Sequence, residues 1–167
     1  MNRRGFLFAI SGAAALFAGA RFGHAERGGQ SAAEFVETTY QKQARLQNAE
    51  TPPSQAEYSA LFSRGMRRLI HAPRHFPKDM LFGPVLNAFF GWDRVFPGTE
   101  VKVGKVTLET GDDSGPATVR VETEHHGKPH KVWVRVVKEN EDWRIANISY
   151  DYGKSLVEHY RAFTRRR

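Results

Sequence analysis

Residues 101–150 read VKVGKVTLET GDDSGPATVR VETEHHGKPH KVWVRVVKEN EDWRIANISY. Apolar side chains recur at every second position in four stretches: Val101-Val103 with Val106-Leu108, Ala117-Val119-Val121, Val132-Val134-Val136, and Trp143 to Tyr150. A period of two belongs to a strand with one buried face. The separators, Gly111-Asp112-Asp113-Ser114-Gly115, His126-Gly127-Lys128-Pro129 and Glu139-Asn140-Glu141-Asp142, have turn chemistry and hairpin length. Four strands therefore follow one another as an antiparallel meander. In the second of them Thr118, Arg120, Glu122 and Glu124 alternate outward, which leaves one apolar face for helices to cover. Val119, Val121, Val134, Val136 and Ile145 are the predicted core of that sheet.

The helices lie on either side. Ser31-Ala32-Ala33-Glu34 is a capping box opening a helix to about Gln47, with Phe35, Val36, Tyr40 and Ala44 on its apolar face. Thr51-Pro52-Pro53 stops it, and a second capping box, Ser54-Gln55-Ala56-Glu57, starts a helix carrying Tyr58, Leu61, Phe62, Met66, Leu69 and Ile70 at helical spacing. Between His71 and Gly98 the prolines 73, 77, 84 and 97 interrupt Phe76, Phe82, Phe89, Phe90, Trp92 and Phe96. That stretch is too broken for a long helix and too apolar for disorder, so a packed, partly helical connector is expected. Gly153 and Ser155-Leu156-Val157-Glu158 start a short C-terminal helix bearing Tyr160 and Phe163. The fold class is α+β: helices first, then a curved four-stranded antiparallel sheet that they back, then a short helix.

Upstream, Met1-Asn2-Arg3-Arg4-Gly5-Phe6-Leu7 precedes an apolar run ending near Ala20, short of the roughly 18–20 residues that a membrane span needs. Residues 1–25 read as a removable signal peptide cleaved after Ala25, with Ala20 the alternative site. Arg3-Arg4-x-Phe6-Leu7 looks like the twin-arginine export motif, although Asn2 and Phe8 depart from it; glycines 5, 12 and 19 and the late Arg21 suit that route. An ordinary secretory peptide is the alternative. Either way the expected location is the bacterial periplasm. Residues 26–30 are a flexible lead-in, 31–164 a single domain and 165–167 a basic tail. The 167 residues carry a formal charge of +7, and three of the arginines, Arg3, Arg4 and Arg21, fall in the leader, leaving the remainder at +4. No cysteine is present, which excludes disulfides, thiol catalysis and cysteine-ligated metals.

The element order, together with Val132-x-Val134-x-Val136-x-x-Glu139-Asn140-Glu141-Asp142-Trp143-Arg144-Ile145-x-x-Ile148, resembles the nuclear transport factor 2-like superfamily. The likeness is to its exported bacterial branch of domain-of-unknown-function families, over about residues 31–160. The resemblance implies a cone-like sheet and an option of homodimerisation through the open sheet face. It implies no single activity, because the superfamily includes isomerases, dehydratases, transport adaptors and inert binding modules. The tail, Gly153, Ser155, Leu156, Val157, Tyr160, Arg161 and Phe163, is similar to that of the periplasmic phospholipid carriers (Mla C-type, toluene-tolerance proteins).

Isomerases of that superfamily carry an acidic base inside the apolar cone. On the inward register here stand only Val, Ala, Leu and Thr, so the remaining candidate acid is Asp93, set among Phe89, Phe90, Trp92 and Phe96 but adjacent to Arg94; Asp79 and Asp151 are weaker. With the turn at Gly127-Lys128, His125 and His130 face each other across strands, yet their neighbours Thr123 and Val132 supply no third zinc ligand, and a solvated hairpin tip is the expected reading. His71 and His75 are separated by Pro73. No hydrolase elbow, zinc-protease, phosphate-loop or dinucleotide motif occurs. Arg64, Arg67, Arg68, Arg74, Lys78 and the terminal arginines form basic patches, with an anionic lipid, glycan or protein as partner rather than nucleic acid.

The expectation is thus a non-catalytic periplasmic domain without cofactor or metal. It would bind a small apolar or amphipathic ligand through Phe82, Phe89, Phe90, Trp92 and Phe96, or a partner protein. A phospholipid carrier, and an isomerase or dehydratase using Asp93 with a tyrosine donor, are the alternatives.

Overall fold

A computed structural model describes residues 29–72, 87–91, 94–96 and 98–164. The leader, the lead-in up to residue 28 and the basic tail lie outside them. The helical half comprises α1 (Ala32–Asn48), α2 (Gln55–Ala60) and α3 (Arg64–Ile70), followed by a 3-10 turn at Asn87–Phe89. The sheet comprises β1 (Val101–Thr110), β2 (Ala117–His125), β3 (Lys128–Glu139) and β4 (Asp142–Tyr150), and α4 (Leu156–Thr164) ends the domain. The order β1-β2-β3-β4 is the antiparallel meander the alternating pattern predicted. Register shifts between Val103 and Val106, Leu108 and Thr110, and Arg135 and Val136 mark bulges, which bend the strands and curve the sheet.

Both predicted capping boxes close. Ser31 and Ser54 accept from the backbone of Glu34 and Glu57, and each glutamate returns a bond to its cap. The expected helix from Ser54 to Ile70, however, is two helices. At Phe62 the chain forms a parallel bridge to Ile145 of β4: Ile145 N donates to Leu61 O at 2.8 Å and Ser63 N donates to Ile145 O at 2.8 Å. Ser63 then caps α3 through Met66 N. An edge strand inside the fold must pair its free backbone groups, and that need outweighs two more turns of helix. On the other side Tyr150 N donates to Lys154 O, so the outer edge of β4 is covered from both directions.

Val119, Val121, Val134, Val136 and Ile145 are all fully buried, in the register expected. Leu108, placed with the inward set, is 39% exposed because β1 is the uncovered edge of the sheet. Gly111 turns the chain at φ 84, and a Cβ there would run into the Pro116 carbonyl and Ala117, so the β1–β2 connection requires glycine. Above the valines, Tyr40 sets its ring edge-on to Phe89 and Phe90 at 5.5 and 5.7 Å, and Tyr58 packs on Phe62 at 4.9 Å. Such pairs contribute about 0.5–1.5 kcal/mol each beyond their buried area. Among the described residues, no helix is long and apolar enough to cross a membrane.

Val134 stands between Val119 on β2 and Ile148 on β4. Val134→Asp buries a carboxylate with no partner, so denaturant unfolding should show a loss of roughly 3 kcal/mol or more, or no folded protein. A stable, soluble variant would place Val134 outside the core.

Candidate functional site

The connector aromatics divide. Phe89 and Phe90 are 0% and 2% exposed and belong to the packed layer under α1, whereas Phe96 is 59% exposed. Phe82, Trp92 and Asp93 lie outside the described residues, as do Asp79, His75, Arg74, Lys78 and the terminal arginines. Of the other basic residues, Arg67 pairs with Glu139 at 3.6 Å, while Arg64 and Arg68 are exposed on α3. His71 caps α3 and its Nε2 meets Ser59 Oγ at 3.1 Å.

The hairpin between β2 and β3 corrects the sequence reading. His125 pairs with Lys128, so the two turn residues are His126 and Gly127, with φ of 52° and 67°. Both signs are positive, as a tight two-residue hairpin matching the sheet twist demands. His130 consequently sits opposite Thr123, diagonal to His125, and the two imidazoles stack face to face: centroids 3.8 Å apart, planes 6° from parallel. The tip itself, residues 126–129, is exposed as expected, but the histidine that leads into it is not. His125 is 3% exposed, and the His126 ring is tied to the connector through its Nε2 and Arg94 O at 3.1 Å. Stacked rings hold their nitrogens in separate planes, which is a packing arrangement and not a chelating one. Among the described residues no three His, Asp or Glu side chains converge as a metal site.

Asp151 orients this pair. Its Oδ2 accepts from His130 Nδ1 at 3.1 Å and from Lys131 N at 3.2 Å, and its own N–H donates to Lys131 O. A carboxylate can only accept here, so the His130 nitrogen facing it, Nδ1, carries a proton. Arg94 lies over the Tyr152 ring at 4.2 Å, and Tyr152 stacks in turn on Tyr150, closing the same end of the sheet.

A second polar group meets His125 from the helix side. Ala32 N donates to Asp113 Oδ1, while at the other end of α1 Asn48 bonds both the N–H and the C=O of Val101. Thus α1 runs antiparallel to β1, and its C-terminal half lies where β2 brings Thr123 and His125. There the inward positions turn polar: Gln43 and Gln47, at 1% and 0% exposure, follow Val36 and Tyr40 on one helix face. Gln47 Nε2 donates to Phe96 O at 3.0 Å and Thr99 O at 3.4 Å. Yet Gln43 Oε1, Gln47 Oε1, Thr123 Oγ1, His125 Nδ1 and Tyr40 OH, all buried, find no hydrogen-bond partner. Each such group costs about 1–3 kcal/mol when left unpaired. At the same end of the sheet lies a depression of about 490 Å3, walled by Gly98, Thr99, Glu100 and Lys102 and by residues 124–127 of the hairpin. His125 belongs to both: it lines the depression, and its buried Nδ1 is unpaired.

No sequence pattern announced this seam. Gln43 and Gln47 at i,i+4 on an otherwise apolar face were its one visible trace.

Burial, then the neighbouring imidazoles of His130 and His126, push the His125 pKa down from 6.5 to about 4. Between those values the unfolded chain binds a proton that the folded chain refuses. The contribution of neutral His125 is therefore complete above pH 6.5 and is lost as pH falls toward 4. Solvent in the depression screens the effect, so denaturant melts should lose on the order of 1–2 kcal/mol across that window relative to His125→Phe, which keeps a ring against His130. Parallel pH profiles for the two proteins would show that His125 is not held neutral.

Neither a search of protein-family models nor one of the curated proteins gives a match to this chain. Among solved structures it is similar to a phospholipid-binding protein from Ralstonia solanacearum in complex with a phospholipid, at 20% identity and a TM-score of 0.32. The alignment covers 78% of this chain and 60% of that one.

Proposed function

We propose that this protein is a non-catalytic binding domain of the bacterial periplasm, built on nuclear transport factor 2-like lines, that holds a small amphipathic ligand at the His125 end of its sheet. One observation carries the reading: the buried, unpartnered polar atoms of Gln43, Gln47, Thr123 and His125 gather where the core approaches the depression. Buried polar groups in folded proteins are almost always paired, so a cluster of exceptions next to an opening is the signature of a recognition surface. Asp151, beside the histidine pair, is engaged by His130 and Lys131.

Mass spectrometry of an organic extract of the protein purified from the periplasm should reveal one small molecule in stoichiometric amount, absent from Gln47→Leu. A protein that is folded, empty, and still empty after incubation with a total lipid and metabolite extract would sink the proposal, and so would substrate turnover abolished by Asp93→Asn. For the location, the double substitution Arg3→Lys, Arg4→Lys should leave the uncleaved precursor in the cytoplasm. Continued export of a processed form would assign the leader to the general secretory route instead.

A further inference from the structure

We infer that the three histidines at the β2–β3 end of the sheet form an acid-sensitive latch: with His125 neutral their packing holds the hairpin tip against β1, and proton uptake by His125 parts the two and opens the depression between them. The inference goes beyond the binding reading above and does not depend on a ligand.

Three segments meet at these rings. His126 reaches the connector, its Nε2 donating to Arg94 O at 3.1 Å, and His130 reaches the turn after β4, its Nδ1 donating to Asp151 Oδ2 at 3.1 Å. His125 lies between them, stacked on His130 at 3.8 Å and edge-on to His126, with centroids 5.6 Å apart and planes at 79°. Each outer ring already donates from the nitrogen that makes its bond, so a proton added to either leaves that bond in place. The middle ring has no such tolerance. An imidazolium carries N–H on both nitrogens, and the buried Nδ1 of His125 has no acceptor. His125 is 3% exposed, so solvent does not supply one.

The surrounding charges oppose a proton on His125 as well. A protonated His130 or His126 sets a like charge against its face or edge, and Arg94 of the connector and Lys128, its partner across the hairpin, are positive. Among the acids, Asp151 is engaged by His130 and the Lys131 backbone, and Glu124 by Lys102 at 3.3 Å; Glu100 stands on the far wall of the depression. Proton uptake therefore requires the ring to leave its place.

The backbone must move with it. A strand residue cannot turn its side chain to the other face while its pairing stays intact. His125 pairs with Val101 on one side and Lys128 on the other, and of residues 124–129 it alone is buried. The opening is bounded on both sides: Asn48 holds the N–H and the C=O of Val101, and Asp151 holds the N–H and the C=O of Lys131. What remains free to move is the tip, whose exposed bond from His126 to Arg94 O is one that water replaces at little cost. The tip forms one wall of the depression and the start of β1 the other, so parting them opens it.

Amide hydrogen exchange of the purified protein, followed by NMR at pH 6.5, 5.5 and 4.5 and corrected for intrinsic rates, tests this. Protection of the hydrogen-bonded amides among residues 123–128 should fall at least about tenfold from pH 6.5 to 4.5, with little dependence on added denaturant because little surface is exposed. Val119, Val134 and Ile148 should stay better protected and keep the steep denaturant dependence of whole-domain unfolding. The His125 ring nitrogens should take up their proton over the interval in which the tip loses protection. His125→Phe, which keeps a ring against His130 and takes no proton, should make tip protection independent of pH; His125→Leu serves the same purpose, and either folded variant suffices. Tip protection unchanged at pH 4.5 overturns the latch, as does a His125 ring that is protonated while those amides stay protected. Tip amides that share the rates and denaturant dependence of the core amides assign the acid response to whole-domain unfolding and overturn it too, and so does an equal local loss in a folded His125 variant.

Discussion

The side chain of Asn48 holds the backbone of Val101 by both of its polar groups, Nδ2 to the carbonyl at 2.9 Å and Oδ1 from the N–H at 2.8 Å. An asparagine amide has the donor and acceptor spacing of a peptide unit, so at the end of α1 it acts as a one-residue strand partner for the first residue of β1. With Ala32 N anchored on Asp113 at the opposite end, the 17-residue helix has no freedom to slide along the sheet. Its apolar residues then meet the valines of β2, and Gln43 and Gln47 reach the level of Thr123 and His125. A shift of one turn, about 5.4 Å, would put those glutamines against valine or into solvent and dissolve the seam.

Within that frame the core is graded. Toward the β1–β2 connection it is dry and apolar, with Val36, Val119, Val134 and Ile145 all at 0% exposure. Toward the β2–β3 hairpin it becomes aromatic and then polar, ending in a pair of stacked imidazoles positioned by Asp151. A domain selected only for stability would fill the second region as it fills the first, since apolar groups of the same shape avoid the cost of unpaired polar atoms. The proposed binding role would account for that polar end, with the well-packed remainder supplying the stability. The outer edge of β4, by contrast, has its backbone groups paired by Leu61–Ser63 and Lys154–Ser155.

Local patterns in the chain by themselves determined the four strands, their antiparallel order, the two N-terminal capping boxes and the identity of the core valines. Those features follow from side chains a few residues apart, whose alternation or spacing is read directly along the backbone. The tertiary structure decided the rest. The break in the helix at Phe62 comes from β4, some eighty residues later in the chain, whose unpaired edge claims Leu61 and Ser63. The hairpin tip is as exposed as its turn residues suggest, but His125 beside it is buried, stacked on His130, which the local sequence does not reveal. Most of all, the acceptor character of Gln47 depends on carbonyls 49 and 52 residues away. Hydrogen-bond satisfaction is a property of what surrounds a group in space, and a sequence carries the donors and acceptors without saying which of them will be left over.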